Sequence, residues 1–171
     1  MHPYYEPVFM AFCNARRVRG AFVFSDNDLQ LDKIGLQNGR EFARIRGMNC
    51  YFGIYNRDGE AGDDKKMLVC FSIPEVGINF KAPFAGEELH TEYASLLTLL
   101  EFIELNQKLF QGKELNIYGD NLDLIGQINE KTCQYEYSQL LGKVLEYKEK
   151  YTYSIGWIPK GQNPAVRNLF D

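Results

Sequence analysis

The alternation of apolar and polar positions predicts strands in the first half of the chain and strand–helix alternation in the second. Residues 8–13 and 21–25 are short apolar runs with aromatic or β-branched content, the pattern of strands. Residues 26–47 are polar and mixed, contain Asp26-Asn27-Asp28 and Asn38-Gly39, and read as a long connection with a short helix near 40–45. A strand is expected over 49–55 (Asn-Cys-Tyr-Phe-Gly-Ile-Tyr), a hairpin loop with Asp58-Gly59 over 56–66, and the returning strand over 67–73. One more extended piece is expected over 78–81, ended by Pro83-Phe84-Ala85-Gly86.

From residue 91 to 109 the spacing turns helical. Tyr93, Leu96, Leu97, Leu100 and Ile103 form one apolar face, and Thr91 is the candidate N-cap. A short strand follows over 115–118. Asp120-Asn121 then caps a helix running to about 129. A further helix is expected over 135–147, with Leu140, Leu141, Val144 and Leu145 available for packing. After it come a strand over 151–158, a loop over 159–162 and a terminal helix over 163–171. Hairpin-linked strands followed by strand–helix alternation imply an α/β fold with a mixed five-stranded sheet: three antiparallel strands, then two parallel ones reached through helical crossovers.

Composition narrows the class. The 171 residues are 45% apolar and 25% charged, which suits one globular domain with a substantial core. No apolar run approaches the ~20 residues of a membrane-spanning helix. The N-terminus lacks a basic region followed by an apolar stretch, so no secretory leader is expected. Cys13, Cys50, Cys70 and Cys133 are far apart and only two histidines are present, which argues against a zinc site. Cys50 and Cys70 lie in apolar runs and are expected to be buried thiols in a reducing cytoplasm. Net charge is −4 and the pI about 5.3, unlike a dedicated nucleic-acid binder, so any phosphate contact would be local. Candidate basic clusters are Arg16-Arg17-Val18-Arg19, then Arg40, Arg44 and Arg46, then Lys143, Lys148 and Lys150; each also reads as solvated surface.

Three acidic residues stand where this architecture can bring them together. Asp26 follows the 21–25 strand, Asp120 follows the 115–118 strand, and Glu92 opens the long helix on the stripe Glu92–Leu96–Leu99–Ile103. Carboxylates at strand C-termini sit at the sheet rim, where open α/β folds place ligands. Oxygen ligands with few histidines suit Mg²⁺ or Mn²⁺, and two such ions ~4 Å apart activate water and stabilise a phosphodiester's leaving oxygen. Each residue also has an ordinary structural reading: Asp120 as a cap, Glu92 as first-turn helix charge, Asp26 as a turn residue. Trp157 reads as a core or rim packing residue rather than a base-stacking platform, and His90 as a loop residue.

At these residues the sequence resembles the ribonuclease H family. Thr-Glu-Tyr-Ala-Ser-Leu-Leu-Thr-Leu-Leu (91–100) is similar to the family's acidic helix. Ile-Tyr-Gly-Asp-Asn-Leu-Asp-Leu-Ile-Gly-Gln-Ile-Asn (117–129) is similar to its fourth strand and following helix, with Asn121 where Ser is common. Gly-Trp-Ile-Pro-Lys-Gly-Gln-Asn-Pro-Ala (156–165) is similar to the last strand and the loop into the closing helix. Val-Phe-Ser-Asp-Asn (23–27) resembles the first strand with its acidic residue; were 8–13 that strand instead, Cys13 or Asn14 would occupy the position. The resemblance covers roughly residues 20–171 and leaves 1–20 as an extension. It implies metal-dependent cleavage of the RNA strand of an RNA–DNA hybrid, with Asp26, Glu92 and Asp120 holding Mg²⁺ or Mn²⁺, and Asn121 and Lys160 meeting nucleic acid. The chain departs from the pattern at the closing helix, where Val166 and Arg167 occupy the fourth acidic position and only Asp171, one turn on, offers a carboxylate. The loop histidine and the glycine-rich turn after the first strand are also missing. A module that binds nucleic acid or protein without cutting is therefore the alternative expectation.

Overall fold

The computed structural model describes residues 47–56 and 66–167. Five strands form one sheet: β1 (Gly47–Asn56), β2 (Lys66–Ile73), β3 (Ile78–Ala85), β4 (Glu114–Gly119) and β5 (Tyr153–Trp157). Their spatial order is β3-β2-β1-β4-β5. β1–β2 and β2–β3 pair antiparallel, and β1–β4 and β4–β5 pair parallel, which is the mixed sheet that the sequence predicts. The helices are α1 (Glu88–Leu105), α2 (Gln107–Phe110), α3 (Leu122–Glu130), α4 (Ser138–Tyr151) and α5 (Pro164–Arg167).

The central strand of this sheet is β1, which contains the predicted 49–55 run and extends it at both ends, and it pairs on one side with the hairpin partner β2 and on the other with β4. The expectation that residues 23–27 supply the first strand lies outside the described residues, as do Cys13, Asn14, Asp26, Asp171 and the two arginine clusters. Among the described residues the predicted five-stranded sheet is filled from residue 47 onward.

Several local readings change. β3 continues to Ala85, through Pro83, which the sequence pattern takes as a breaker. Pro83 is tolerated because β3 is an edge strand, where a missing N–H need not face a partner. The long helix begins at Glu88, with Glu87 as its N-cap, and Thr91 lies inside it with its Oγ1 donating to the Glu87 carbonyl at 2.8 Å. That places His90 in α1 rather than in a loop. The helix breaks at Asn106, whose Nδ2 donates to the Phe102 carbonyl at 2.8 Å, and only the short α2 follows. Asn121, not Asp120, caps α3: its Oδ1 accepts from the Leu124 amide at 3.0 Å. The predicted 135–147 helix is a 3-10 turn, Tyr135–Tyr137, followed by α4.

Strand alternation sends Met48, Cys50, Phe52 and Ile54 of β1 to the face that carries α1, and all four are buried. Phe71 of β2 meets Phe102 of α1 on this face, with ring centroids 5.3 Å apart. The predicted helical face of Tyr93, Leu96, Leu97, Leu100 and Ile103 is buried against it. Lys143 and Lys150 of α4 do not form a free basic patch, being held by Glu146 and Glu104 respectively. Burial pushes the Cys50 and Cys70 thiols up to about 12, so both are inert at neutral pH.

One glycine sets how closely two of the strands pack. A Cβ on Gly119, at the end of β4, would lie 2.4 Å from the Phe52 ring. Gly119→Ala is expected to cost about 1–3 kcal/mol by overpacking, measured by chemical denaturation. Shortening the ring with Phe52→Leu in the same chain should recover part of the loss.

Candidate functional site at the sheet rim

β1 and β4 run parallel and end at the same rim of the sheet. Their register pairs Tyr51 with Tyr118, which carries Gly53 of β1 to a position opposite Asp120, just past the end of β4. Gly53 lies on the face opposite Phe52, and there α5 packs. A Cβ placed on Gly53 would lie 3.2 Å from the Asp120 carboxylate, 2.8 Å from Asn163 Nδ2 and 2.9 Å from Val166 Cγ2.

Glu92 arrives from α1. It sits in the second turn rather than at the helix start, and is 3% exposed. The Asn121 side chain, fixed by its capping bond to Leu124, hydrogen-bonds the Glu92 carboxylate. Burial and the neighbouring Asp120 charge push Glu92 up to about 8, while Lys160 and the Asn121 bond pull the other way. Asp120 is also raised, by burial above all, and is held down by a bond from Asn163 and by the Lys160 charge. Glu92 Oε2 and Asp120 Oδ2 are buried without a hydrogen-bond partner. Two buried acidic groups, each with one oxygen that lacks a donor and each disfavouring its charged form, make a cradle for a cation or a proton.

The remaining rim residues come from the last strand and its loop. The Trp157 indole N–H donates to the Asp120 carbonyl at 3.2 Å, while 47% of the residue stays exposed. The sequence reading of Trp157 as a packing residue is therefore half right: the ring is tethered at one edge and open elsewhere. Lys160 lies in the 3-10 turn Lys160–Gln162, close enough to act electrostatically on both carboxylates. Asn163 is fully buried; its Nδ2 donates to the Phe52 carbonyl at 2.8 Å and its Oδ1 accepts from the Ala165 amide at 3.0 Å.

The structure thus brings Glu92, Asp120, Asn121 and Lys160 together. Asp26 and Asp171 lie outside the described residues. Among the described residues no group of three or more His, Cys, Asp or Glu side chains is placed to hold a metal ion. Two residues that decide the site go unmarked in the sequence reading, Gly53 and Asn163. A glycine inside the apolar run Tyr-Phe-Gly-Ile-Tyr was the available signal, since strand glycines often mark close approach.

The raised Glu92 group ties stability to pH. Its folded value, about 8, lies above its ordinary value of 4.5, so the folded state holds a proton that the unfolded chain releases. The associated stability is present below the ordinary value and is lost as pH rises through about 8, at about 1.4 kcal/mol per pH unit where the two states differ by a full proton. In chelator, thermal melts from pH 4.5 to 8.5 should show this decline. Glu92→Gln should flatten it and be the more stable protein at the alkaline end.

No protein-family profile matches the sequence, and no curated protein matches it either. Solved structures do. Ribonuclease H1 LC11, isolated from compost by a metagenomic approach, superposes with a TM-score of 0.58 at 14% identity, covering 74% of this chain and 100% of its own. The same enzyme in complex with an RNA/DNA hybrid gives 0.56 at 15% identity, covering 71% of this chain and 92% of its own. Ribonuclease H1 from the halophilic archaeon Halobacterium salinarum gives 0.52 at 18% identity, with the same coverage of both chains. The sheet order, the crossover helices and these neighbours agree: this chain has a ribonuclease H-like fold.

Proposed function

We propose that this domain is a ribonuclease H-like module that binds nucleic acid at its sheet rim and lacks, among its described residues, the carboxylates of a two-ion hydrolytic centre. The observation that carries this reading is Gly53. The β1 position facing Asp120 has no side chain, and the space a side chain would enter is filled by Asn163 and Val166. Val166 is itself one of the two positions at which the resemblance expects the fourth acid.

Two carboxylates, each with one orphaned oxygen, fit a single hard divalent ion. Mg²⁺ is commonly held by one or two carboxylates, with water and phosphate oxygens completing its shell. Glu92 Oε2 and Asp120 Oδ2 would hold it, and its charge would neutralise a phosphate laid across the rim. Asn121 orients Glu92 for that role and Asn163 orients Asp120. Lys160, an exposed cation beside the pair, supplies a phosphate contact. The nucleic-acid assignment draws support from a neighbour of this fold that is complexed with an RNA/DNA hybrid. No helix among the described residues is long and apolar enough to cross a membrane. The buried, unpaired thiols Cys50 and Cys70 fit the reducing cytoplasm proposed as its location.

A second reading is metal-dependent hydrolysis of the RNA strand of an RNA–DNA hybrid. The same orphaned oxygens favour it, and its third carboxylate would have to come from Asp26 or Asp171.

Labelled RNA–DNA hybrid and single-stranded RNA separate the two. Binding followed by fluorescence anisotropy should weaken with salt. Lys160→Ala should lower affinity severalfold and reduce the salt slope by about 1, as expected of one phosphate contact. With Mg²⁺ or Mn²⁺ the RNA strand should stay intact. Cutting that disappears in both Asp26→Asn and Asp120→Asn would replace the binding reading with the hydrolytic one. Separately, Mn²⁺ should raise the melting temperature of the wild type, and Glu92→Gln should abolish that rise.

A further inference from the structure

Among the described residues four large apolar side chains are notably exposed: Leu105, Leu122, Tyr135 and Trp157. Two of them lie at the rim. Trp157 ends β5 and is bonded to the Asp120 carbonyl, while Leu122, 64% exposed, opens α3 two residues beyond Asp120. Neither contributes to the buried core. Leaving an indole and a leucine half in water forgoes apolar burial that a folded chain ordinarily takes. The indole is also oriented. Its N–H is engaged with backbone at 3.2 Å, and Ile158 extends the strand pairing through a bond from its amide to the Gly119 carbonyl at 2.9 Å. The ring is thus held on a rigid strand end, not a loop. Lys160, three residues on, provides a cation at the same edge.

From this arrangement we infer that Trp157 is a stacking platform for an unpaired nucleobase, with Leu122 flanking it and Lys160 meeting the adjoining phosphate. The inference rests on the nucleic-acid reading above and specifies the ligand as a single-stranded segment. An aromatic face accepts any base, and a neighbouring cation tracks the backbone, so recognition needs no sequence code. A paired base inside a duplex offers no free face to the indole. The occupant is therefore a single strand or a frayed end rather than the interior of a hybrid.

Trp157 is the chain's only tryptophan, so its fluorescence reports this contact alone. Titration of the full chain with a single-stranded RNA oligonucleotide should quench the emission in step with binding measured independently by anisotropy. A blunt hybrid of equal length should quench less at equal occupancy. Trp157→Ala should weaken single-strand binding roughly tenfold or more, the range expected for loss of one stacked base. Trp157→Phe keeps a ring but loses the indole N–H, so it should retain most of the affinity if stacking matters and the tether does not. Three outcomes overturn the inference while leaving the binding reading standing. These are binding without quenching, equal affinity for wild type and Trp157→Ala, and a Trp157→Phe protein as weak as the alanine variant. Absence of binding to either probe overturns both. A Trp157 emission shift that depends on protein concentration without nucleic acid, alongside dimer in sedimentation, would assign the patch to a second copy instead.

Discussion

The backbone of Phe52 and Gly53 is the point on which the rest of the structure closes. On one side of the sheet the Ser95 hydroxyl of α1 lies 2.9 Å from the Gly53 carbonyl and 2.8 Å from the Cys70 carbonyl, bridging β1 and β2. On the other, Asn163 drives its amide onto the Phe52 carbonyl, and Val166 fills the volume beside it. The approach of Asn163 and Val166 is closer than a side chain at residue 53 would permit. The missing Cβ therefore lets the closing segment lock onto the central strand from one face while Ser95 holds it from the other, satisfying main-chain groups at the strand end that would otherwise be buried unpaired.

The same constraint governs the chemistry at the rim. Where a first-strand carboxylate would complete a cation site, the volume belongs to an amide. Asn163 offers Asp120 a neutral donor in place of a second shared charge, and Asn121 does the same for Glu92. Neutral donors stabilise a carboxylate less than a metal ion would, so the pair remains costly to ionise, and burial dominates both shifts. Lys160 tempers the cost from the solvent side. Two open acceptors inside a ring of donors, beside an exposed aromatic edge, are the geometry on which the proposed binding reading rests.

Much of the fold was legible because apolar periodicity is a direct consequence of burial. The strands at 49–55 and 67–73, the helical face from Tyr93 to Ile103 and the order of elements all follow from which residues must leave water. The errors fell where tertiary position outweighs local preference. Pro83 stays in a strand because that strand is at an edge. Thr91 turns its hydroxyl back to the Glu87 carbonyl inside a helix that starts earlier than its own capping propensity suggests. Asn121 takes the cap, leaving the Asp120 carboxylate to face Glu92.

For the site, the sequence alone determined that Glu92 and Asp120 would meet: one lies on the buried face of a long helix, the other at the tip of a strand that the helix must cross. It also determined that Lys160 and Trp157 would follow on the next parallel strand and its loop. Only the tertiary structure decided what faces Asp120 across the sheet. Register between β1 and β4 depends on how side chains from both faces fit together, and a shift of one residue would present a different side chain altogether. That fit puts Gly53, not an acid, opposite Asp120, and leaves Trp157 open to solvent, because burial of a strand-end residue is set by which neighbour arrives above it and not by its own hydrophobicity.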